Sequence, residues 1–332
     1  MPDLYTGLQK DARTEMLKTM RATDRQIAGI YERAGAELAR IAESQKAGSL
    51  TRRWQADMAA SLAERMTQLN KDVYAAVKTG SATAARLPGE ANAKWLVRVL
   101  EKAKGTTGGD AFRSVMTRTS DEALRAVVNG DAYLDAKQLS ARIWKNNGRA
   151  REGMNEIIRQ GIAQKKSAYQ LAKELEAYVN PDVIDMMDWR EIYPDLPDWL
   201  SDRWTKVEFH AHVIARTSIN HAHHIALKNA AEANPFASAI HWELSPDHYE
   251  RQVRPFGEDV CDDYAGHDEG LGPGNFTING VPLPHAMCLC YQWAVVPETL
   301  DKCADRLNDW LDGGEDGELD KAFGTWKNEL GA

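Results

Sequence analysis

The stretch Trp54–Val77, WQADMAASLAERMTQLNKDVYAAV, decides the class of fold to which this chain belongs. Its large apolar residues recur every three or four positions, and this spacing places them on one side of an α-helix. They are Trp54, Met58, Leu62, Met66, Leu69, Val73 and Val77. A helix with one apolar stripe buries that stripe against another element. The sequence therefore predicts a partner helix nearby.

The partner helix is expected just upstream, where a second apolar stripe is interrupted only by Asp24. This stripe comprises Leu17, Met20, Ile27, Tyr31, Ala34, Leu38 and Ile41. Ala47-Gly48-Ser49 breaks the pattern between the two stripes. Because two stripes joined by a short loop can bury each other, we predict an antiparallel helical hairpin over residues 1–80. Packing within the chain is favoured over an arm that binds a partner.

A helical middle domain is predicted over residues 93–200. Gly80, Ser81 and the turn signal Leu87-Pro88-Gly89 predict a hinge between Thr79 and Asn92, ahead of this domain. The Thr119–Glu122 segment has capping-box spacing and predicts a helix start. Further segments expected to be helical are Trp95–Ala103, Ala136–Asn147, Arg149–Ala163 and Ser167–Val179, and Trp189–Trp204 is expected to form a loop.

The chain changes character after a long predicted helix, Trp204–Ala233. Ser238–Leu244 alternates as a short strand does, and Gly270–Gly274 and Asn279-Gly280 predict turns. We predict a small α+β C-terminal module with a loop-rich Cys/His segment over residues 201–300. An acidic tail over residues 301–332 is expected to hold one amphipathic helix and a mobile, solvated stretch. The fold class is therefore mainly α, with this small α+β module at the end.

Composition narrows the class of protein. A chain of 332 residues with 43% hydrophobic and 27% charged residues is typical of a globular protein of two or three units. No apolar run approaches the roughly 20 residues that a membrane-spanning helix needs, so no membrane association is predicted and the chain is expected to stay in the cytosol where it is made. The net charge of −8 disfavours wrapping of DNA by the whole surface.

All four cysteines lie in the last quarter of the chain, at positions 261, 288, 290 and 303. In a reducing cytosol such a cluster indicates metal binding or buried thiols before disulfides. A loop-rich module with little core often needs a metal to hold it together. Cys261, His285, Cys288 and Cys290 would suit a structural, tetrahedral zinc site, with His248 and His267 as further candidate ligands. Buried free thiols and a disulfide remain alternatives.

Five histidines fall on the predicted helix Trp204–Ala233, at positions 210, 212, 221, 223 and 224. No two are four residues apart, and no glutamate takes the metalloprotease position, so core or surface roles are favoured over a catalytic metal. Arg216 on the same helix is expected to tie it to the C-terminal module. The sequence has no nucleophile elbow, phosphate-binding loop or dinucleotide fingerprint, and we expect no enzyme.

Four segments together resemble the phage head-morphogenesis family that includes the Mu F-type minor head proteins. They are Ile214-Ala215-Arg216-Thr217-Ser218, Trp242 with Asp247, Cys261-Asp262-Asp263-Tyr264-Ala265, and Pro284-His285-Ala286-Met287-Cys288-Leu289-Cys290. The similarity spans about Ala136 to Pro297. Ala286, Leu289 and Tyr264 depart from the family pattern, and Tyr264 stands where some members have a cysteine.

The resemblance implies a structural virion protein at the portal vertex, in the capsid interior. It would bind the portal protein and/or the major capsid protein, contact packaged DNA, and assist head assembly, DNA packaging or delivery. The alternative is an injected effector whose Cys/His module is a zinc-dependent nuclease. Such an enzyme needs an open zinc position and a nearby general base, for which the candidates are Glu258, Asp259, Asp262 and His267.

Overall fold

Long helices account for most of the structure, a computed structural model that describes residues 4–44, 52–106, 109–163 and 207–327. The helices in these residues are α1 Leu4–Ser44, α2 Arg52–Lys104, α3 Asp110–Asn129, α4 Leu139–Ala163, α5 Val207–Glu232, α6 Arg254–Phe256, α7 Val260–Gly266, α8 Leu300–Leu311 and α9 Gly317–Phe323. The strands are β1 Ala239–Glu243, β2 Asn275–Phe276 and β3 Tyr291–Val295. The predicted class, mainly α with a small α+β module at the end, is confirmed. The predicted helix Ser167–Val179 and loop Trp189–Trp204 lie outside the described residues.

The chain divides into two compact units, and each is built from separate parts of the sequence. Unit 1 comprises Met1–Thr19, Ser81–Ala126 and Ile219–Ala332, and unit 2 comprises Met20–Gly80 and Val127–Ser218. The divisions fall within α1, α2 and α5 and near the end of α3. No helix in the described part of the chain is both long enough and apolar enough to cross a membrane.

Unit 2 contains the two predicted apolar stripes except Leu17, and the described side chains of the second stripe are buried, as are three of the six described in the first. In α2 the buried set is Leu62, Met66, Leu69, Val73 and Val77, and in α1 it includes Met20, Ile27 and Tyr31. Polar side chains link three of the helices, because the hydroxyl of Tyr31 donates to Asn147 Oδ1 and Asn147 Nδ2 donates to Asn70 Oδ1, each at 2.7 Å. The period-3.6 pattern therefore identified the buried faces correctly.

Asp24, the polar interruption of the first stripe, is an ion-pair site within unit 2. Its carboxylate lies 2.9 Å from His212 Nδ1 and accepts from Arg216 Nε at 2.8 Å. Burial alone would raise the pKa of Asp24. The hydrogen bonds from these two side chains lower it by a larger amount, so the pKa of Asp24 lies below its usual value. Arg216 was expected to tie its helix to the C-terminal module. Its guanidinium instead pairs with Asp24 of α1.

The helix interruption predicted between Thr79 and Asn92 is absent, because α2 runs through it without a break, although the division between the two units falls there, between Gly80 and Ser81. Pro88 has no N–H, which leaves the carbonyl of Ala84 without its partner in the helix. His223 Nδ1 lies 3.3 Å from that carbonyl and donates to it. Gly89 is needed for packing, because a Cβ there would lie 2.9 Å from the carbonyl oxygen of Met116 on α3. Contacts with α5 and α3 therefore account for Pro88 and Gly89, which by residue type alone predict a turn.

Two predicted helix boundaries are also wrong. The capping-box segment at Thr119 lies inside α3, where the hydroxyls of Thr119 and Ser120 both donate to the carbonyl of Met116 at 2.8 Å. The break expected at Gly148 is absent, since α4 is continuous from Leu139 to Ala163. At the first of these places the polar side chains that predicted a helix start are buried and hydrogen-bonded within the helix.

Unit 1 is organised around a three-stranded antiparallel sheet in the order β2-β1-β3. Ile240 of β1 pairs with Ala294 of β3, and both are buried in the main core of the unit. Gln9 of α1 joins the edge of the sheet, because its side chain donates to the carbonyl of Ala294 and accepts from the amide of the same residue. The start of the chain is thereby fixed to its last strand.

The predicted acidic tail is part of the core of unit 1. The amphipathic helix expected there is present as α8, and it buries Cys303, Leu307 and Trp310. Arg306 pairs with Asp316 across the stretch that was predicted to be mobile. The acidic residues cover the outer side of a helix whose inner side packs against α2 and α3 residues in the core. The tail is therefore not solvated throughout, because the apolar sides of α8 and α9 are buried, whereas residues 312–315 between the two helices are exposed.

Candidate metal centre

Three of the four cysteines meet in a buried cluster within unit 1. Cys261 lies in the first turn of α7, and Cys288 and Cys290 lie in the loop that leads into β3. The Sγ atoms of Cys261 and Cys288 are 3.5 Å apart, and the three side chains share a core cluster with Trp242. Their exposed fractions are 0%, 4% and 3%. Cys303 lies elsewhere in the core, and all four are free thiols.

Two histidines lie beside the cysteines. A ligand atom of His285 is within 4.8 Å of the sulfurs of both Cys261 and Cys288. His248 lies on the other side of the cluster, with its Nδ1 3.6 Å from Cys290 Sγ. The structure therefore brings together all four predicted ligands, Cys261, His285, Cys288 and Cys290, and adds His248. Cys261, His285 and Cys288 could hold a metal ion, and so could a second group made of His248, Asp259 and Asp262.

The amino end of α7 fixes the position of Cys261. Asp259 is the N-cap and accepts from the amide of Cys261 at 2.8 Å, while Asp262 accepts from the amide of Asp259 at 2.8 Å, which completes a capping box. Each carboxylate also faces an imidazole. His285 Nε2 lies 3.3 Å from Asp259, and His248 Nε2 lies 3.0 Å from Asp262.

The loop that carries Cys288 and Cys290 is held by side chains from α1 and α5. Its backbone is tight, since the amide of Cys288 donates to the carbonyl of His285 and Met287 has a positive φ of 60°. Such a backbone conformation in a non-glycine residue persists only when its surroundings fix it. Three loop carbonyls accept from buried or half-buried donors: Pro284 from His221 at 2.7 Å, Cys288 from Asn220 at 3.2 Å, and Leu289 from Arg13 at 3.0 Å.

The cluster favours a thiolate at Cys288. Hydrogen bonds from the Cys261 and Cys290 thiols hold the pKa of Cys288 well below its ordinary value. The hydrogen bond between Cys261 and Cys288 also raises the pKa of Cys261. Burial lowers the pKa of His285, but its hydrogen bonds with Asp259 and Cys288 and the charge of Cys288 together outweigh burial and raise the pKa to about 10. A thiolate that lies beside other thiols and imidazoles provides the kind of donor atoms that soft divalent metals bind.

The remaining candidate residues do not join the cluster. His267 stacks on Phe276 with ring centroids 4.5 Å apart, and its side chain is 41% exposed. Of the helix histidines, His221, His223 and His224 are buried, as the core interpretation expects, and the side chain of His210 lies outside the described residues. Of the candidate nuclease bases, Glu258 is exposed, whereas Asp259 and Asp262 are both hydrogen-bonded to imidazoles.

Sequence reasoning missed the residues that position the candidate ligands. Asp259 and Asp262 were considered only as bases, although the Asp-x-x-Asp spacing at a helix start is a capping signal. Asn220 and His221 gave no local signal, because their partners lie more than sixty residues away. Comparison of the chain with protein-family models, curated proteins and solved structures gave no match.

Proposed function

We propose that this chain is a structural minor head protein of a tailed phage whose C-terminal module is held together by a zinc ion. It binds the portal protein and/or the major capsid protein inside the capsid. The observation that carries the zinc assignment is the convergence of three cysteine sulfurs and two imidazoles in one buried cluster. Thiolate and imidazole donors suit zinc better than other common divalent ions.

Burial of the donors favours a structural role over a catalytic one. A catalytic zinc keeps one position open to solvent or substrate and needs a general base nearby. Here the three sulfurs are at most 4% exposed, and the nearby carboxylates of Asp259 and Asp262 already accept hydrogen bonds from a helix end and from imidazoles. The geometry thus supports a zinc ion that stabilises the module and gives little support to the nuclease alternative.

The resemblance to phage head-morphogenesis proteins supplies the remainder of the proposal. Three of the segments that carry it come together in unit 1, since Trp242 of β1, Cys261 of α7 and the Cys288–Cys290 loop share one cluster. Segments that are far apart in sequence therefore form a single folded module, which is what a family signature requires.

Co-expression with the portal and major capsid proteins of the same phage tests the assembly role. We expect the full chain to co-purify with portal complexes or procapsids. A chain that stays monomeric and binds neither protein would refute this part of the proposal. DNA nicking that a chelator abolishes, and that Cys288→Ala removes without unfolding the chain, would favour the effector instead.

The zinc assignment has its own test. Elemental analysis of the full chain, purified under reducing conditions, is expected to find about one zinc ion per chain. The three cysteines should then resist alkylation until the metal is removed with a chelator. A metal-free protein whose module is nevertheless folded would retire the zinc assignment.

A further inference from the structure

A groove of about 560 Å³ lies within unit 1, between the start of α1, the second half of α2, and α3. The apolar side chains that line it are Leu4, Leu8, Ala93, Val97 and Met116. Leu8 and Val97 are half-buried, and Leu4 is 46% exposed. Contiguous apolar side chains that remain accessible in a folded unit mark a surface on which something else packs. The groove is therefore a candidate interaction surface.

One wall of the groove is a row of charged side chains on α2. Arg86, Glu90, Lys94 and Arg98 follow one another at four-residue intervals, and Glu101 completes the row. This spacing puts about one charge on each helical turn, along one side of α2. Arg98 donates to Glu101 at 2.6 Å, whereas Arg86, Glu90 and Lys94 form no ion pair with any described residue. The wall therefore presents charges that lack partners within the described chain.

The row is complementary to its own reverse. Glu90 and Arg98 lie four residues before and after Lys94, and Arg86 and Glu101 lie eight before and seven after it. A second copy that runs antiparallel about a two-fold axis at Lys94 thus places its Arg98 opposite Glu90 and its Glu101 opposite Arg86. Four of the five facing positions then carry opposite charges, and Lys94 alone faces itself. A parallel copy in register would instead place like charges opposite each other at all five positions.

We infer that the groove is the interface of a two-fold symmetric dimer, in which the charged α2 wall of each copy runs antiparallel to that of the other. The dimer covers the exposed side chain of Leu4 and gives Arg86 and Glu90 the oppositely charged partners that they lack. With the existing pair of Arg98 and Glu101, each side of the axis then holds a network of four charges of alternating sign, two from each copy. Such a network contributes more than isolated exposed ion pairs do.

This inference goes beyond the proposed function and depends on neither the zinc ion nor the phage assignment. Sedimentation velocity of the full chain, under reducing conditions and at low ionic strength, tests it. We expect a reversible equilibrium between monomer and dimer, and added salt should shift this equilibrium toward the monomer because the facing contacts are ionic.

Single substitutions in the charged wall should change the dimer in opposite directions. Arg86→Glu and Glu90→Arg should each weaken it by at least about 10-fold, because the symmetry repeats every substitution at two contacts. Lys94→Gln should strengthen it by at least about 3-fold, because this change removes the like-charge contact at the axis. Arg118→Glu is the control, since it reverses an exposed arginine of α3 that does not line the groove, and it should leave the dimer unchanged.

Reversing all four network charges at once tests the pairing itself. The variant with Arg86→Glu, Glu90→Arg, Arg98→Glu and Glu101→Arg keeps every opposite-charge contact within and between copies, so it should dimerise like the parent. A mixture of this variant and the parent should contain both homodimers and few mixed dimers. In a mixed dimer the same four contacts would join like charges.

Cross-linking tests the position of the axis and does not depend on the stability of the charge variants. A cysteine at a two-fold axis faces the same cysteine of the second copy, so a short bismaleimide should link Lys94→Cys chains into covalent dimers. Arg118→Cys chains should remain unlinked. The four native cysteines are buried and should not react.

Several results would overturn the dimer. They are a chain that stays monomeric at about 100 µM, charge reversals at positions 86 and 90 that leave association unchanged, and mixed dimers as abundant as the homodimers. A monomer whose groove binds a different protein would also overturn it, because the occupant would not be a second copy. None of these results changes the expected zinc uptake or the expected binding to portal and capsid proteins, so the proposed function would stand.

Discussion

Replacing His223 with glutamine should change how the stability of this protein depends on pH. His223 is fully buried, and burial lowers its pKa to about 4, although the hydrogen bond to the carbonyl of Ala84 raises it slightly. In the unfolded chain the same imidazole titrates near 6.5. As the pH falls below 6.5, the unfolded state binds the proton and the folded state does not. Acid therefore favours unfolding, and the full stability is present only above the unfolded pKa.

The magnitude follows from the two pKa values. A depression of this size destabilises the folded state by about 2 kcal/mol at pH 5 and about 3 kcal/mol at pH 4, relative to pH 8. Glutamine can still donate to the carbonyl of Ala84 but does not titrate. His223→Gln should thus cost about 1 kcal/mol at pH 8, through altered packing, and become the more stable protein near pH 4.

Urea denaturation from pH 4 to pH 8, followed by hydrogen exchange of α2 and α5, measures the difference. Titrating groups distant from position 223 cancel in the comparison, whereas His224, whose pKa is lowered by burial and in part by His223, is left with a smaller depression in the variant. His267→Gln is the control for the loss of an imidazole as such, because that side chain is 41% exposed. A constant difference between wild type and His223→Gln across this range would refute the reasoning.

Three further changes test other parts of the fold. Gly89→Ala should destabilise the protein by about 1–3 kcal/mol, because the added Cβ would lie 2.9 Å from a backbone carbonyl of α3. Gly7→Ala, whose Cβ would meet nothing within 4 Å, should instead stabilise the protein by about 0.5–1 kcal/mol. Thermal denaturation of the two variants compares these effects directly. Leu307→Ala should cost about 2–5 kcal/mol in chemical denaturation, since α8 belongs to the core, and a cost under 0.5 kcal/mol would place it outside. Cys288→Ala should remove hydrogen-exchange protection from the β-sheet module and leave the protection of residues 62–77 unchanged. Equal losses in both regions would contradict a cluster that stabilises only its own module.

Periodicity predicted the parts of this fold that depend on local pattern. The buried faces of α1 and α2 follow from the 3.6-residue repeat, and β1 follows from alternation. Local signals were wrong at Pro88 and Gly89, because the partners of these residues, His223 and α3, are distant in sequence. The acidic stretch after residue 300 looked solvated because composition does not reveal which side of a helix is apolar until its packing is known.

The candidate site, like the fold, could be predicted from the sequence only in part. Residue type alone indicated Cys261, Cys288 and Cys290 as metal donors, because thiolates clustered in a small, loop-rich module have few other roles. Both His285 and His248 lie beside the cysteines, but only the first could be predicted from its spacing. His285 is close to the cysteines in sequence, whereas His248 comes close to Cys290 only through the fold.

The double hydrogen bond between Gln9 and Ala294 has a consequence for how this protein is made. Ribosomes deliver α1 long before β3, so the amino-terminal part of unit 1 waits without its sheet while the 285 residues that separate Gln9 from Ala294 are added. A product that terminates before β3 would leave the start of α1 with an exposed apolar side and no strand to join. Synthesis of β3 is therefore the event that permits unit 1 to close.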